Sequence, residues 1–256
     1  MYSLKKRILV VDDVEMNQML AGQMMRSWGC DVVIVENGRL ALEEVQTENY
    51  DLVLMDIQMP EMDGIEATIR IRQLDDKAKA SIPIIALTAN LLKGDNERYL
   101  AAGMNDYLSK PISEKKLFEI VAKNLGIKTS QSNHSVENKF SNDQKLYDLE
   151  LVKEISGGDE TFVKSMVVLF LQTVPPSLDD LQSACNDQNW EQAGKVAHKL
   201  KSTIDSMKIA PLKDVIRKIE SNGKKGENVD AIPELVKEVQ IVMHRCMNQV
   251  KMDFAA

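Results

Sequence analysis

The sequence predicts two unlike domains, an α/β domain built on a parallel sheet and then an all-α domain built as an antiparallel helical bundle. Three observations carry this. The first half alternates short apolar runs with helix-like stretches. The second half lacks such runs, and its apolar residues recur at three- and four-residue spacing. Between the halves lies a polar segment with Phe140 as its sole aromatic residue. A length of 256 residues suits two ordinary domains.

In the first half the apolar runs are Ile8–Val11, Val32–Val35, Leu52–Met55, Ile82–Leu87 and Tyr107–Leu108. Their lack of polar alternation fits strands covered on both faces. The stretches between and after them, near Met16–Trp28, Leu40–Thr47, Ile65–Gln73, Lys93–Ala102 and Glu114–Asn124, read as helices. Strand–helix alternation repeated five times predicts a parallel sheet with helices on both faces. Residues 127–144 read as a flexible linker whose r.m.s. reach is about 25 Å. That separates a domain at 1–126 from one at 145–256. In the latter, Leu169, Val196, Leu200, Ile204, Leu212, Ile216, Ile219, Leu235 and Val239 fall at helical spacing. Asn189 is placed to cap a helix starting at Trp190, with Gln192 three residues on. Pro175-Pro176 are expected to kink or break their helix, and Gly157-Gly158 and Asn222-Gly223 to punctuate the chain.

Composition excludes several classes of function. The formal net charge of −7 argues against broad binding to a nucleic-acid backbone. No unbroken apolar run approaches the ~20 residues of a membrane span. Basic residues in Met1–Arg7 are not followed by the apolar stretch and small-residue cleavage site of a secretory signal. Cys30, Cys185 and Cys246 are too few and scattered for a disulfide framework or zinc site. The expectation is a reduced, cytoplasmic protein.

Polar residues end the strands of the first half. Asp12 and Asp13 follow the first, Asp56 ends the third, Thr88 the fourth, and Lys110 stands near the end of the fifth. Ligands of open parallel sheets bind beyond the carboxyl ends of the strands. Three carboxylates, a hydroxyl and an ammonium should therefore converge. Mutually repelling carboxylates are relieved by a hard cation such as Mg²⁺. LVVDD, LMDIQMPEMDG, ALTA and YLSKP, in this order and spacing, resemble the receiver domain of response regulators over about Leu4–Leu125. The resemblance implies a flavodoxin-like, doubly wound five-stranded parallel sheet of order 2-1-3-4-5. It implies that Asp56 accepts a phosphoryl group from phosphohistidine. Asp13, Asp56 and the backbone carbonyl of Gln58 would hold Mg²⁺, with Asp12 helping through water. Lys110 and Thr88 would contact phosphoryl oxygens. Tyr107 matches the family's switch aromatic, Ala89 leaves the crevice open, and Gln58 and Asn90 stand where hydrolysis is tuned. A competing class, phosphatases that form an aspartyl phosphate, needs a second carboxylate two residues after the nucleophile. Gln58 cannot supply that titratable proton.

In the second half, His198 sits in AHKLKST. It is expected one residue off the apolar stripe of Trp190, Ala193, Ala197, Leu200 and Ile204, at the edge of solvent. Lys195 and Lys201 flank it at i−3 and i+3. Gly194 and Ser202, at i−4 and i+4, are small enough to leave the imidazole accessible. A neutral imidazole accepts phosphoryl groups near pH 7, and a neighbouring ammonium stabilises the resulting dianion. SGGDETFVKSMVVLF, NWEQAGKVAHKLKST and MKIAPL together resemble a histidine phosphotransfer (HPt) domain, a four-helix bundle, over about Leu146–Val250. The family usually has glycine where Ser202 stands. The combined expectation is a two-component phosphorelay protein. Its partners would be a histidine kinase and other receiver or HPt domains, with no nucleic acid and no membrane segment. No glycine-rich ATP site is apparent, so the chain is read as a phosphoryl acceptor rather than a kinase. Either a separate kinase supplies the phosphoryl group, or the chain is the C-terminal part of a hybrid kinase. A receiver switch with an inert HPt domain is the other alternative.

Overall fold

A computed structural model describes residues 4–88, 95–127 and 145–254. Most of the expected linker, together with Ala89, Asn90 and Lys93, lies outside the described residues. The chain divides into two compact units, Met1–Asn138 and Lys139–Ala256.

The first unit runs β1 (Arg7–Val11), α1 (Glu15–Ser27), β2 (Asp31–Val35), α2 (Gly38–Thr47), β3 (Leu52–Asp56) and α3 (Gly64–Arg72). It continues through a short α4 (Lys77–Ala80), β4 (Ile84–Thr88), α5 (Asp95–Ala101), β5 (Asp106–Ser109) and α6 (Glu114–Asn124). The strands form a parallel sheet of order β2-β1-β3-β4-β5. Ile8 pairs with Val32 on one side and Leu52 on the other, Val53 with Ile84, and Ile85 with Asp106. The central strands are the unbroken apolar runs, buried along β3 and β4, whereas edge strand β2 is only half-buried. Strand side chains alternate between faces. Leu9, Val11, Val53, Met55, Ile84 and Ala86 join Ala41 and Val45 of α2 and Ala67 and Ile71 of α3 in one apolar cluster. Near the sheet's other helices, Trp28, just after α1, meets Phe118 of α6 edge to face at 5.0 Å. Asn37 and Asp63 cap α2 and α3 through their side chains. The short α4, capped by Asp76, was not legible as a helix; a single turn carries no periodicity.

The second unit runs α7 (Glu150–Ile155), α8 (Glu160–Asn186), α9 (Trp190–Ser206), α10 (Lys213–Lys225) and α11 (Ile232–Phe254). Asn189 caps α9 by accepting from Gln192 N at 3.1 Å, as its sequence position predicts. Buried side chains line one stripe of each long helix: Met166, Phe170 and Val174 on α8, Ala197 and Leu200 on α9, Ile216 and Ile219 on α10, Val239 and Met243 on α11. Two expectations need correction. α8 runs unbroken through Pro175 and Pro176. Both prolines stand off the buried stripe, so the carbonyls they leave unbonded fall on the more exposed side of the helix. Asn222-Gly223 does not punctuate either. It lies within α10, which ends at Gly226 with φ of 67°. Gly223 is there because α9 passes against it: a Cβ on Gly223 would lie 2.3 Å from Trp190 O and 2.8 Å from Gly194 N. By length and composition α8 is also apolar enough to cross a bilayer, although the sequence lacks an unbroken run. Its buried stripe instead faces the bundle core.

Candidate functional site: an aspartate pocket and a buried histidine

Parallel pairing of β1, β3 and β4 sets their carboxyl ends side by side, and the chemistry gathers there. Oxygen atoms of Asp12, Asp13 and Asp56 lie within 4.8 Å of one another. Asp12 is 1% and Asp56 3% exposed. The two oxygens of Asp12 are used differently. Oδ1 accepts from Val14 N and Asn17 Nδ2, both at 3.0 Å, which fixes the entry into α1. Oδ2 accepts from Lys110 Nζ at 2.6 Å, and the same ammonium donates to Asp56 Oδ2 at 2.7 Å. Asp56 Oδ1 accepts from Gln58 N at 3.3 Å. Burial pushes the Asp56 carboxyl up to about 7, Lys110 pulling it down and Asp12 pushing it further up. Burial alone would lower the Lys110 ammonium, but the carboxylates of Asp12 and Asp56 hold it above the ordinary lysine range.

Thr88 ends β4 one residue beyond Leu87, the partner of Asp56 across the sheet. Its hydroxyl lies 3.2 Å from the Tyr99 hydroxyl of α5. Tyr107 on β5 is half-buried, and its hydroxyl accepts from Asn96 Nδ2 at 2.9 Å. Gly64 closes the floor. A Cβ there would stand 2.0 Å from Asp56 O and 2.9 Å from Met55 Cγ. Gly64→Ala is therefore expected to displace the backbone of Asp56 and to destabilise the unit by about 1–3 kcal/mol, the cost of overpacking. Urea unfolding checks this; an unchanged midpoint would refute it.

The other cluster forms where α9 and α10 come close at Gly194 and Gly223. His198 is 8% exposed, more buried than its off-stripe position predicts. Its Nδ1 lies 2.6 Å from Glu220 Oε1 of α10. Glu220 Oε2 accepts from Lys201 Nζ at 2.5 Å, and Oε1 also accepts from Lys224 Nζ at 2.9 Å. Burial lowers the His198 pKa despite the neighbouring carboxylate. Burial likewise lowers that of Lys201. Burial would raise the Glu220 carboxyl, but its bonds to His198 and Lys201 hold it well below the carboxylate range. A neutral imidazole beside an ionised carboxylate carries its proton on Nδ1. That leaves Nε2 with the lone pair.

Two family models match the chain: a response regulator receiver domain over residues 8–122 and an Hpt domain over residues 165–251. The chain joins a receiver domain to an Hpt domain. It is 34% identical over 191 residues to the sensor histidine kinase GacS of Pseudomonas protegens, covering 72% of this chain and 21% of that protein. It is 30% identical over 237 residues to the signal transduction histidine-protein kinase BarA of Escherichia coli, covering 91% of this chain and 26% of that protein. The chain thus spans about a quarter of the length of these relatives. A solved receiver domain of the sensor histidine kinase PA1611 of Pseudomonas aeruginosa, described with a magnesium ion in its active-site cleft, shares 42% identity. It covers 47% of this chain and 98% of its own, with a TM-score of 0.44.

The receiver domain brings together Asp12, Asp13, Asp56, Thr88 and Lys110 as the sequence predicts; Ala89 lies outside the described residues. In the Hpt domain, Lys201 and Ser202 are buried beside His198 on α9. Lys195 is exposed and pairs with Glu191 at 2.7 Å, so the buried ammonium at the site is Lys201. Gly194 was read as leaving room for the imidazole, but it serves the close approach of α10. Glu220 was missed. Its signal is a carboxylate next to Ile219 and four residues after Ile216, on the core-facing side of an otherwise amphipathic helix. Leu20 and Met24 of α1, and Trp28 just after it, are buried. Met16 is also buried, at 2% exposure, whereas Met19 and Gln23 are half-exposed.

Proposed function

We propose that this chain relays phosphoryl groups between histidine and aspartate side chains, with Asp56 as the acceptor in the receiver domain and His198 as the carrier in the Hpt domain. The observation that carries this is the pairing of two buried sites of opposite design. One is a carboxylate cluster bridged by the Lys110 ammonium. The other is a neutral imidazole with one nitrogen tied to Glu220.

In the receiver, an Asp56 oxygen attacks the phosphorus of a phosphohistidine. The P–O bond forms as the P–N bond breaks, and the electron pair returns to the donor imidazole nitrogen. Lys110 neutralises phosphoryl oxygens and the Thr88 hydroxyl donates to one of them. The donor set fits Mg²⁺: three hard carboxylates, two of them buried, sharing one small space, with the Lys110 ammonium bridging Asp12 and Asp56. Asp13, Asp56 and the backbone carbonyl of Gln58 would hold the ion, with Asp12 acting through water. The ion would supply charge neutralisation of the phosphoryl group. In the Hpt domain, Nε2 of His198 attacks the phosphorus of a receiver aspartyl phosphate; the P–N bond forms as the P–O bond breaks, and the electron pair stays on the released carboxylate. Glu220 fixes the tautomer, and Lys201 and Ser202 stand where they can stabilise the added dianion.

The partners are a histidine kinase and receiver or Hpt domains of the same relay. The kinase is either another chain or part of the same polypeptide, as the likeness to sensor histidine kinases such as GacS and BarA suggests. The chain itself acts as a phosphoryl acceptor, not as an ATP-dependent kinase. Three buried cysteines, none in a disulfide, agree with a reducing compartment such as the cytoplasm. The test is labelling by radioactive acetyl phosphate with and without Mg²⁺. Acid-stable, alkali-labile label that requires Mg²⁺ is expected; Mg²⁺-independent labelling would sink the metal assignment.

A further inference from the structure

We propose that Tyr99 is a positioning residue for phosphoryl transfer to Asp56, acting by orienting the hydroxyl of Thr88. This rests on Asp56 being the acceptor and concerns a residue that the motifs of the receiver sequence do not include. The ring of Tyr99 is fixed: it is 5% exposed and belongs to the apolar cluster that includes Met55, Ala86 and Met104. Its hydroxyl emerges from that cluster against Thr88, 3.2 Å from Oγ1, and Thr88 is itself buried.

Each hydroxyl has one proton and two lone pairs. In the resting state either can be the donor. A phosphoryl oxygen on Asp56 is acceptor-only, so Thr88 can bind it only by donating its proton. Once it does, Thr88 can meet Tyr99 only as an acceptor. Tyr99 O–H then points at Thr88, and Thr88 O–H at the phosphoryl oxygen. In a buried chain of this kind each bond polarises the next. Tyr99 thus selects the rotamer of Thr88 that the phosphorylated state needs, without touching the phosphoryl group. A separate observation places α5 in the same role. Asn96, one turn before Tyr99, donates to the Tyr107 hydroxyl at 2.9 Å. The helix is thereby tied through two tyrosine hydroxyls to β4 and β5, the strands that carry Thr88 and lead to Lys110.

The test is a double-mutant cycle on the full chain, read as the rate of Mg²⁺-dependent acid-stable labelling by acetyl phosphate. Tyr99→Phe keeps the ring and removes the hydroxyl. Thr88→Val keeps the shape of Thr88 and removes its hydroxyl. Tyr99→Phe is expected to slow labelling about 3- to 10-fold, the value of one buried hydrogen bond. In the Thr88→Val background the same change should have no further effect, because its route of action is gone. An equal fold-change in both backgrounds, or none in the native background, would overturn the proposal. Asp56→Asn run alongside separates the two readings. If that variant still takes acid-stable label, the acceptor assignment fails. If it is silent while Tyr99→Phe acts independently of Thr88, only the role of Tyr99 fails.

Discussion

Replacing Asp56 with asparagine is expected to reduce acid-stable labelling of the receiver domain to background. The amide keeps the size and the neighbours of the side chain but has no anionic oxygen to attack phosphorus. It also removes one of the three carboxylates that draw a divalent cation. The fold should survive. Lys110 keeps its 2.6 Å bond to Asp12, and Gln58 N keeps an oxygen acceptor. Without Mg²⁺ the variant should unfold at the same urea concentration as the native chain or a higher one. Three carboxylates within 4.8 Å repel each other, and one of them is neutralised. Labelling of the variant at the native stoichiometry would mean that another carboxylate is the acceptor. A large loss of stability would mean that Asp56 is a structural ion-pair partner of Lys110.

The second large effect is expected at Glu220. Glu220→Ala removes the one carboxylate that His198, Lys201 and Lys224 share. It leaves the Lys201 ammonium buried without its counter-charge. Breaking a buried pair from one side costs about 3–5 kcal/mol, so the Hpt domain should melt early or fold only partly. Glu220→Gln keeps an acceptor for Nδ1–H and should lose less. In either variant the imidazole is no longer held by an anion, and phosphoryl arrival at His198 should slow about ten- to a hundred-fold through lost orientation. The pH dependence follows from the directions of the shifts. Both Glu220 and His198 have folded pKa values below their ordinary ones, so the folded Hpt domain binds fewer protons than the unfolded chain in acid. Stability is therefore retained above the ordinary histidine value of 6.5. It falls below that pH through His198, and further below the ordinary glutamate value of 4.5 through Glu220. Glu220→Ala should flatten the lower part of this dependence. Urea unfolding of the full chain at several pH values, followed by far-ultraviolet circular dichroism, measures it. A melt unaffected by Glu220→Ala would show that the cluster is solvent-screened.

The two sites differ in how far the sequence discloses them. Asp12, Asp13, Asp56, Thr88 and Lys110 were legible because a parallel sheet gives every strand the same direction. Any polar residue that ends an apolar run is then carried to the same edge. The parallel sheet and most helices of that domain follow from the same alternation, whereas the strand order came from the resemblance of its motifs to receiver domains. Glu220 was not legible because helix packing, not strand pairing, brings it to His198. It stands beside Ile219 in a stretch otherwise rich in charge, and no motif singles it out. Only the close approach of α9 and α10 at two glycines turns that carboxylate inward. Tyr99 was hidden for a similar reason: it lies on a short helix whose register against β4 is set by burial of the ring. Periodicity along a single helix also misjudged burial. His198 was put at the edge of solvent by counting along α9 alone, whereas α10 covers it.

The central claim is that Asp56 and His198 are two stations of one relay, and it is met most directly by the chemistry of the label. The full chain is charged with radioactive acetyl phosphate in the presence of Mg²⁺, at a protein concentration high enough for transfer within or between molecules. Acid-stable and acid-labile label are followed together in the native chain, in Asp56→Asn and in His198→Gln. The expected result is acid-stable label first, then acid-labile label at its expense. Asp56→Asn should show neither, and His198→Gln should show only the acid-stable form. Acid-labile label that persists in His198→Gln, or that never forms in the native chain, would contradict the relay.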